Sequence, residues 1–335
     1  MPKKVLAAIV AAVVVISLMT GFWLVQYPPK GYRGPIEKLT LGAYKGEETS
    51  LVYVAERRGY FVENSLDVTI KPYDTGKLAA NALLAGETDI STCTDFVLVT
   101  LSFNNSNLRV LATIDKVNNN VVIARRDHGV SQPSDLRGKR VGIVRGSSAE
   151  FFLGQFLALN GLSLRDVELV DLAPSGIVDA ISGGVIDVAV TWQPYVHEIE
   201  GRLKSNAVSW SAQAGLDHYF LLVSKAEWIE THPLAIERFL QAVIQAERFV
   251  KTNGEEARRI IALEFGYTAS YLDSVWKKHN FAVTLTQSLL SLMESEARWK
   301  IETRLTDKTK VPNYLEFIYF DGLEAVKPEA VTIIH

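Results

Sequence analysis

Short loops rich in glycine, serine and threonine recur along the chain, and each follows a segment typical of a β-strand. They are Tyr44-Lys45-Gly46-Glu47-Glu48-Thr49, Asp74-Thr75-Gly76, Thr92-Cys93-Thr94-Asp95, Arg145-Gly146-Ser147-Ser148, Pro174-Ser175-Gly176 and Thr191-Trp192-Gln193-Pro194-Tyr195. Hydroxyls and backbone N–H groups at a helix start bind anions, because the helix dipole adds partial positive charge there. Strand ends of an open α/β sheet meet in one crevice, so the loops predict one site for an anionic group. For any single loop, ordinary helix N-capping is a sufficient alternative.

The residue types of metal centres and enzymes form no recognisable pattern. The chain has one cysteine, Cys93, and six histidines without H-E-x-x-H spacing. It also lacks a Walker loop, G-x-S-x-G and G-x-G-x-x-G. We interpret Cys93 as a small pocket or core residue, because no base stands near it in the sequence. The sequence therefore predicts a non-enzymatic protein with no catalytic residue, no metal and no cofactor.

The segments between these loops predict an α/β fold with a mostly parallel sheet. Predicted strands cover residues 39–44, 67–73, 89–92, 121–125, 140–144, 168–171, 186–192 and 219–223. The C-terminal third is helical, with predicted helices at 231–250, 255–265, 268–279 and 286–300. We expect this third to pack on a lobe that already exists.

A weak internal repeat links two halves of the chain. Residues 82–90 match residues 180–188 at a constant offset, which aligns Gly86 with Gly184 and Asp89 with Asp187. Each glycine is predicted to end a helix in a left-handed C-cap before the next strand. Chance similarity between two α/β halves is the alternative.

The N-terminus is predicted to be a membrane segment. Residues 5–27 contain no charge and follow Lys3 and Lys4, and a helix of that length spans roughly 34 Å, enough for a bilayer core. We expect a cytoplasmic stub at 1–4, a transmembrane anchor at 5–27, a linker at 28–35 and an extracytoplasmic body, in the periplasm or on the outer face of the cell membrane. A cleaved signal peptide is the alternative for 5–27.

Composition excludes several classes of protein. The 335 residues carry 35 Lys and Arg against 38 Asp and Glu, a formal net charge of -3, which argues against a nucleic-acid partner. With 48% hydrophobic residues, the chain is globular, and its length suggests two domains or two lobes.

An ordered set of motifs resembles the nitrate/sulfonate/taurine-type family of ABC-importer solute-binding proteins, which also contains thiamine-pyrimidine-precursor binders. The motifs are Tyr44-Lys45-Gly46, Gly59-Tyr60-Phe61, A-L-x-x-G-x-x-D at 82–89, D-L-x-G-K-x-V-G at 135–142, Gly146-Ser147-Ser148 and W-x-P-Y at 192–195. The resemblance covers about residues 36–300. Each motif alone is weak, and their order makes the set fairly specific.

The resemblance implies a type II periplasmic-binding-protein fold, in which two α/β lobes joined by two hinge crossings close on a ligand. Lobe I would comprise 36–119 and 218–335 and lobe II 120–217, with crossings near 118–122 and 218–222. The implied function is capture of a small anion of the sulfonate, taurine or nitrate class. The implied partners are an ABC permease and its ATPase, with the membrane contacted through the N-terminal helix.

The resemblance also implies site residues. Gly146, Ser147 and Ser148 correspond to a loop that binds the head group, and Thr94, Asp95, Trp192 and Gln193 to the walls of the cleft. The predicted ligand-binding set is Tyr44, Lys45, Gly46, Thr75, Gly76, Thr94, Asp95, Gly146, Ser147, Ser148, Trp192 and Gln193.

Two features of the set bear on ligand charge. Gln193 is neutral where many relatives carry an acid, which suits an anionic ligand, whereas Asp74 and Asp95 leave a zwitterion open. Trp192 would offer a flat aromatic face, with a structural core tryptophan as its alternative. Three other functions stay open, namely a pyrimidine or thiamine-precursor binder, a membrane-anchored ligand sensor and a pyrimidine-synthesising enzyme.

Overall fold

The computed structural model describes residues 34–335. The predicted anchor at 5–27, the stub at 1–4 and most of the linker at 28–35 lie outside the described residues. From residue 34 onwards, no helix combines the length and apolar character needed to cross a membrane.

Ten strands alternate with helices in the described chain. The strands are β1 (Glu37–Tyr44), β2 (Leu66–Tyr73), β3 (Ile90–Thr94), β4 (Leu108–Val117), β5 (Val121–Arg125), β6 (Arg140–Ile143), β7 (Glu168–Asp171), β8 (Val188–Thr191), β9 (Ala207–Ser211) and β10 (His218–Lys225). The α-helices are α1 (Ser50–Arg57), α2 (Tyr60–Glu63), α3 (Gly76–Leu84), α4 (Asp95–Ser102), α5 (Ser148–Leu159), α6 (Pro174–Ser182), α7 (Tyr195–Leu203), α8 (Ala226–Thr231), α9 (Pro233–Thr252), α10 (Gly254–Phe265), α11 (Ala269–Val275), α12 (Gln287–Glu302) and α13 (Phe320–Val326).

The strands form two five-stranded sheets of the same design. The orders are β2-β1-β3-β10-β4 and β7-β6-β8-β5-β9. In each sheet three strands are parallel, and the remaining two, β10 with β4 or β5 with β9, add an antiparallel edge. We call each sheet with the helices packed on it the first lobe and the second lobe. The chain leaves the first sheet after Val117 and returns to it at His218.

Two of these strands, β4 and β9, are missing from the sequence prediction. β4 is nonetheless the longest strand and is buried along most of its length. Its sequence, LRVLATIDKV, mixes charges with apolar residues and follows an Asn-rich loop, so it shows neither clean alternation nor an unbroken apolar run. Antiparallel pairing with β10 stabilises this segment as a strand. The hydrophobic pattern within the segment does not indicate that partner.

The internal repeat corresponds to a repeated structural device. Gly86 and Gly184 both adopt left-handed backbone angles, with φ of +77° and +76°, after helices α3 and α6, as predicted. Asp89 Oδ2 then accepts a hydrogen bond from the backbone of Thr40 at 2.7 Å. Asp187 Oδ2 accepts the equivalent bond from Arg140 at 2.9 Å. In both lobes one aspartate thus ties the start of the third parallel strand to the first.

Asp187 accepts more hydrogen bonds than Asp89. Beyond the backbone bond, it receives Arg140 Nη2 at 2.8 Å and His128 Nδ1 at 2.8 Å. Burial alone raises the pKa of Asp187, but the hydrogen bonds from Arg140 and His128 outweigh it and hold that pKa below its usual value. The ionised carboxylate therefore stabilises the second lobe.

We expect Asp187→Asn to lower the free energy of unfolding by about 2 kcal/mol, the scale of charge-assisted hydrogen bonds. Asp89→Asn, its repeat counterpart, should cost about half as much because the carboxylate makes fewer contacts. The contribution of Asp187 to the free energy of unfolding is complete above the pKa of about 3.9 that an aspartate has in the unfolded chain. It is lost as pH falls through the lower pKa of Asp187 in the folded protein. Urea unfolding of both variants between pH 3 and 7 measures this difference, and equal losses would contradict it.

A candidate ligand-binding cavity between the two sheets

A small cavity lies between the two lobes. The centre of a water-sized sphere can occupy about 30 Å³ of this cavity. On the same measure, one water molecule needs roughly 10–15 Å³. The space therefore fits a small head group rather than a long chain. Its walls are formed by Tyr44, Glu48, Thr75, Gly76, Lys77, Thr94, Val97, Ser147, Ser148, Trp192, His218 and Phe220.

Three helix N-termini meet at this cavity. Thr75 caps α3 and Thr94 caps α4, their side chains accepting hydrogen bonds from Leu78 N and Val97 N at 3.1 and 3.4 Å. Ser147 precedes α5 from the second lobe. Each of these helices has at least eight residues, so three positive dipole ends face one small space. Helix N-termini are suited to anions even without a nearby cationic side chain.

The two serines at the start of α5 differ in what their hydroxyls do. Ser147 Oγ donates to the Val144 carbonyl at 2.7 Å, so it holds the loop in place. The Ser148 hydroxyl lines the cavity and has no hydrogen-bond partner among residues 34–335. Ser148 is therefore the free donor that the second lobe offers to a ligand.

Gly76 allows α3 to begin against the sheet. A Cβ at this position would lie 3.0 Å from the Cys93 Cα on β3, with the Phe220 ring at 3.5 Å. Any side chain would push the helix start away from the strand and alter the cavity. The close approach explains why a glycine follows the capping threonine here.

The roof of the cavity links the lobes through aromatic side chains. Trp192 Nε1 donates to the Tyr44 hydroxyl at 2.9 Å, and Tyr44 in turn donates to the Gln193 carbonyl at 3.5 Å. Gly46 supports this arrangement, since a Cβ there would lie 2.1 Å from the Tyr44 ring. Trp192 thus presents an aromatic wall that is fixed at its indole nitrogen.

Two charged residues absent from the predicted set line the same cavity. Lys77 is half-buried, and its Nζ donates to the Arg145 carbonyl at 2.8 Å across the lobes. Glu48 is 2% exposed, and its Oε1 accepts from Asn119 Nδ2 at 2.6 Å. Burial, and then the charge of Glu47, raise the pKa of Glu48 to about 8.

A cluster of ionisable side chains lies behind Glu48. Glu47 is fully buried and accepts a hydrogen bond from the Tyr271 hydroxyl. His279 Nδ1 lies 2.6 Å from Asp115 Oδ2. Burial lowers the pKa of His279, but Asp115 and then Glu48 and Glu47 outweigh it and raise that pKa to about 9. A buried imidazolium therefore faces three carboxyl groups.

His218 lines the cavity without any hydrogen bond. It is 2% exposed, and neither ring nitrogen has a partner. Burial, with the nearby charge of His279, lowers the pKa of His218 to about 3. The ring is therefore neutral near pH 7 and offers one donor and one acceptor to a ligand.

The structure brings most of the predicted residues together at the cavity. Those that line it are Tyr44, Thr75, Gly76, Thr94, Ser147, Ser148 and Trp192. The predicted residues outside its lining are Lys45, Gly46, Asp95, Gly146 and Gln193. The lining residues that the sequence analysis missed are Glu48, Lys77, Val97, His218 and Phe220.

The residues outside the lining have other partners. Lys45 is exposed and pairs with Asp74 at 2.7 Å, and Gln193 Oε1 accepts from the His197 backbone at 3.2 Å. Gly146, at φ +73°, donates its N–H to Glu150 at 2.9 Å. These contacts shape the loops around the cavity.

Asp95 is also turned away from the cavity. Its carboxylate accepts from the backbone N–H groups of Phe96 and Tyr219 at 2.8 and 2.9 Å, and burial raises its pKa to about 7. Asp95 therefore joins α4 to β10.

Cys93 lies in strand β3, which runs two residues further than predicted. It is fully buried, and burial, then the charge of Asp95, raise the pKa of the thiol. The side chain is a protonated core residue, which matches its interpretation as a small apolar group.

Comparisons with known proteins agree with this geometry. The taurine-binding periplasmic protein of Escherichia coli (strain K12) is 26% identical over 188 residues, 56% of this chain and 58% of that protein. The alkanesulfonate-binding protein SsuA from Xanthomonas axonopodis pv. citri, bound to MOPS, superposes with a TM-score of 0.74 at 18% identity, over 85% of this chain and 99% of that one. The periplasmic nitrate-binding protein NrtA from Synechocystis PCC 6803 gives 0.70 at 13% identity, over 88% and 89%.

These likenesses establish an α/β periplasmic-binding-protein fold built on two sheets. The family profile described as NMT1/THI5 like matches residues 47–257, a span that includes eleven of the twelve cavity-lining residues, all but Tyr44. The family resemblance predicted from the sequence is thereby confirmed: the chain belongs to the NMT1/THI5-like family.

Proposed function

We propose that this protein is the extracytoplasmic solute-binding component of an ABC importer, which captures a small anion of the sulfonate, taurine or nitrate class and delivers it to a permease. The observation that carries the proposal is the meeting of three helix N-termini at one cavity between the lobes. Lys77 and the free hydroxyl of Ser148 add a positive charge and a donor to that space. Together they suit a compact oxyanion such as a sulfonate.

The names of the relatives support the same ligand class. They include a taurine-binding protein, an alkanesulfonate-binding protein solved with the sulfonate buffer MOPS, and a nitrate-binding protein. Sulfonate is tetrahedral and nitrate is planar, but both are compact groups of anionic oxygens. Hydrogen-bond donors can surround either of them. The cavity offers such donors from both lobes, so the anion contacts both sides only when the lobes are closed.

Closure would couple binding to transport. Because only the closed state surrounds the ligand, ligand binding shifts the equilibrium between open and closed forms toward closure. A micromolar dissociation constant corresponds to about -8 kcal/mol, within reach of several fixed hydrogen bonds and an aromatic wall. The predicted anchor at 5–27 would keep the protein beside its permease at the membrane surface.

Calorimetric titration of the full-length protein in mild detergent tests the proposal. The panel contains ethanesulfonate, taurine, nitrate and an aminopyrimidine, and we expect micromolar binding of at least one of the three compounds that carry a sulfonate or nitrate group. Binding of the aminopyrimidine alone would favour the thiamine-precursor alternative. The absence of any binding heat across the panel would contradict a solute-binding function of this type.

The Ser147 and Ser148 pair gives a matched test of the site. We expect Ser148→Ala to weaken anion binding about tenfold, the effect of losing one charge-assisted hydrogen bond, with no change in thermal stability. Ser147→Ala should instead lower the melting temperature, because it removes the bond to the Val144 carbonyl. Calorimetry and thermal melting of both variants separate the two roles. An unchanged affinity of Ser148→Ala would remove this serine from the site.

A further inference from the structure

A lysine and a glutamate line the cavity without pairing with each other. Lys77 Nζ bonds to the Arg145 carbonyl, and Glu48 Oε1 bonds to the Asn119 amide. Within residues 34–335, neither side chain belongs to an ion pair. A cavity with an unpaired cation and an unpaired carboxyl group is complementary to a ligand that carries both charges.

The second carboxylate oxygen of Glu48 is the strongest sign of a missing donor. Glu48 Oε2 is buried and has no hydrogen-bond partner in the described chain, although the side chain lines the cavity. Leaving a buried carboxylate oxygen unsatisfied is unfavourable, and native structures seldom do so without a reason. A ligand donor placed in the cavity would satisfy this atom.

The charges behind Glu48 favour a cationic donor. Glu47 precedes it on the same turn, and the charges of His279 and of Asp115 on β4 also act on it. Three carboxyl groups thus surround one imidazolium, and the cavity face adds the neutral His218 and the Tyr44 phenol. When Glu48 is ionised, it adds a negative charge to this wall, which then attracts a positive group.

Glu48 is the one acidic side chain among the twelve that line the cavity. The two aspartates that sequence analysis considered for an amino group are engaged elsewhere. Asp74 is exposed and pairs with Lys45, and Asp95 accepts a backbone N–H group with each of its oxygens. An ammonium group in the cavity therefore has Glu48 as its acceptor.

We propose that Glu48 determines specificity by accepting, through Oε2, a hydrogen bond from a primary ammonium group of a zwitterionic ligand. The anionic end of the same ligand lies at the three helix N-termini and Lys77. This inference rests on the proposed function, because it assigns the second end of the ligand that the importer component binds.

The proposal has a consequence for protons. With a pKa raised to about 8, Glu48 in the ligand-free cavity is mostly protonated at pH 7, whereas an ammonium group requires the carboxylate. Binding of the zwitterion therefore releases a proton, and affinity rises by up to about tenfold per pH unit from pH 6 to 8. In this range His279 stays protonated and His218 stays neutral. Burial also raises the pKa of Glu47, so its proton is part of the same measurement.

The test compares taurine with ethanesulfonate, which has the same sulfonate and no amine. Calorimetry of the full-length wild-type protein at pH 7 should show taurine binding at least about tenfold tighter. Glu48→Gln should remove that preference and leave ethanesulfonate affinity nearly unchanged. Asp74→Asn, which removes an exposed carboxylate outside the cavity, should keep the preference. Titration in two buffers of different ionisation enthalpy should show proton release for taurine and none for ethanesulfonate.

The outcomes separate this inference from the function on which it rests. Ethanesulfonate binding as tightly as taurine, or an unchanged preference in Glu48→Gln, would overturn the role of Glu48 and leave the importer function intact. No binding of either sulfonate would overturn both. If circular dichroism shows that Glu48→Gln does not fold, the wild-type protein alone tests the proposal. The absence of either its preference for taurine over ethanesulfonate or its proton release on taurine binding then overturns the proposal.

Discussion

Gly154→Ala is expected to weaken ligand binding by about tenfold to a hundredfold without unfolding either lobe. Gly154 lies on α5 of the second lobe, and a Cβ there would lie 2.3 Å from Trp299 Cζ2. Trp299, on α12 of the first lobe, is held by the Phe96 and Phe151 rings at centroid distances of 5.8 and 5.3 Å. Overpacking of this kind costs roughly 1–3 kcal/mol. Under the hinge closure proposed above, this cost would fall on the closed form, in which α5 lies against Trp299.

Scattering and calorimetry together measure this effect. We expect the radius of gyration of the variant in saturating ligand to exceed that of the wild type, while its affinity falls. Gly201→Ala is the matched control, since Gly201 also lies within a helix of the second lobe and its added Cβ would meet no atom within 4 Å beyond its own stretch of helix. That variant should bind like the wild type and gain about 0.5–1 kcal/mol of stability. Wild-type affinity in Gly154→Ala would mean that ligand binding does not depend on this contact.

The loops of the cavity were predictable because they carry local signals. Thr75 and Thr94 cap the helices that follow them, and a strand followed by a capped helix places its loop at the sheet edge where ligands bind. Ser148 was found in the same way. Such signals depend on a few neighbouring residues, so one sequence is enough to read them.

Glu48 and Lys77 were missed for a physical reason. Glu48 lies inside a predicted loop and Lys77 directly follows one, each near the beginning of a helix, where acidic or basic side chains are ordinarily solvated. Glu48 is buried beside Asn119, which is distant in sequence, and the second lobe supplies the Arg145 carbonyl to Lys77. Two adjacent acids before an apolar helix were the available signal, and their burial depends on residues far along the chain.

Gly46 illustrates a related difference between a motif and its role. It belongs to the Tyr44-Lys45-Gly46 motif and was predicted to bind ligand, yet the missing side chain makes room for the Tyr44 ring. Lys45, beside it, points to Asp74. The motif therefore identifies the correct loop, while the contacts show that Tyr44 is the member that lines the cavity.

His279→Ala is expected to lower the free energy of unfolding by about 3–5 kcal/mol, the range for breaking a buried ion pair. The side chains of His279 and Asp115 are 1% and 0% exposed, and their sequence separation of 164 residues hides the pair from sequence analysis. Without the imidazolium, the carboxylates of Asp115, Glu47 and Glu48 would share one buried region. Burial already raises the pKa of Asp115, although His279 lowers it in part, so the pair is stable only as a unit.

Adding Asp115→Asn to His279→Ala should restore part of the stability, because an amide needs no countercharge.

The pH dependence of the free energy of unfolding is an independent test of the role of His279. A histidine with a folded pKa of about 9 and an unfolded pKa near 6.5 contributes fully below pH 6.5, and the contribution, about 3 kcal/mol, is lost as pH rises through 9. Urea unfolding from pH 6 to 10 should therefore show a wild-type decline that the double variant lacks in large part. A decline of equal size in both proteins would exclude His279 as its source and leave Glu47 and Glu48, whose raised pKa values act in the same direction.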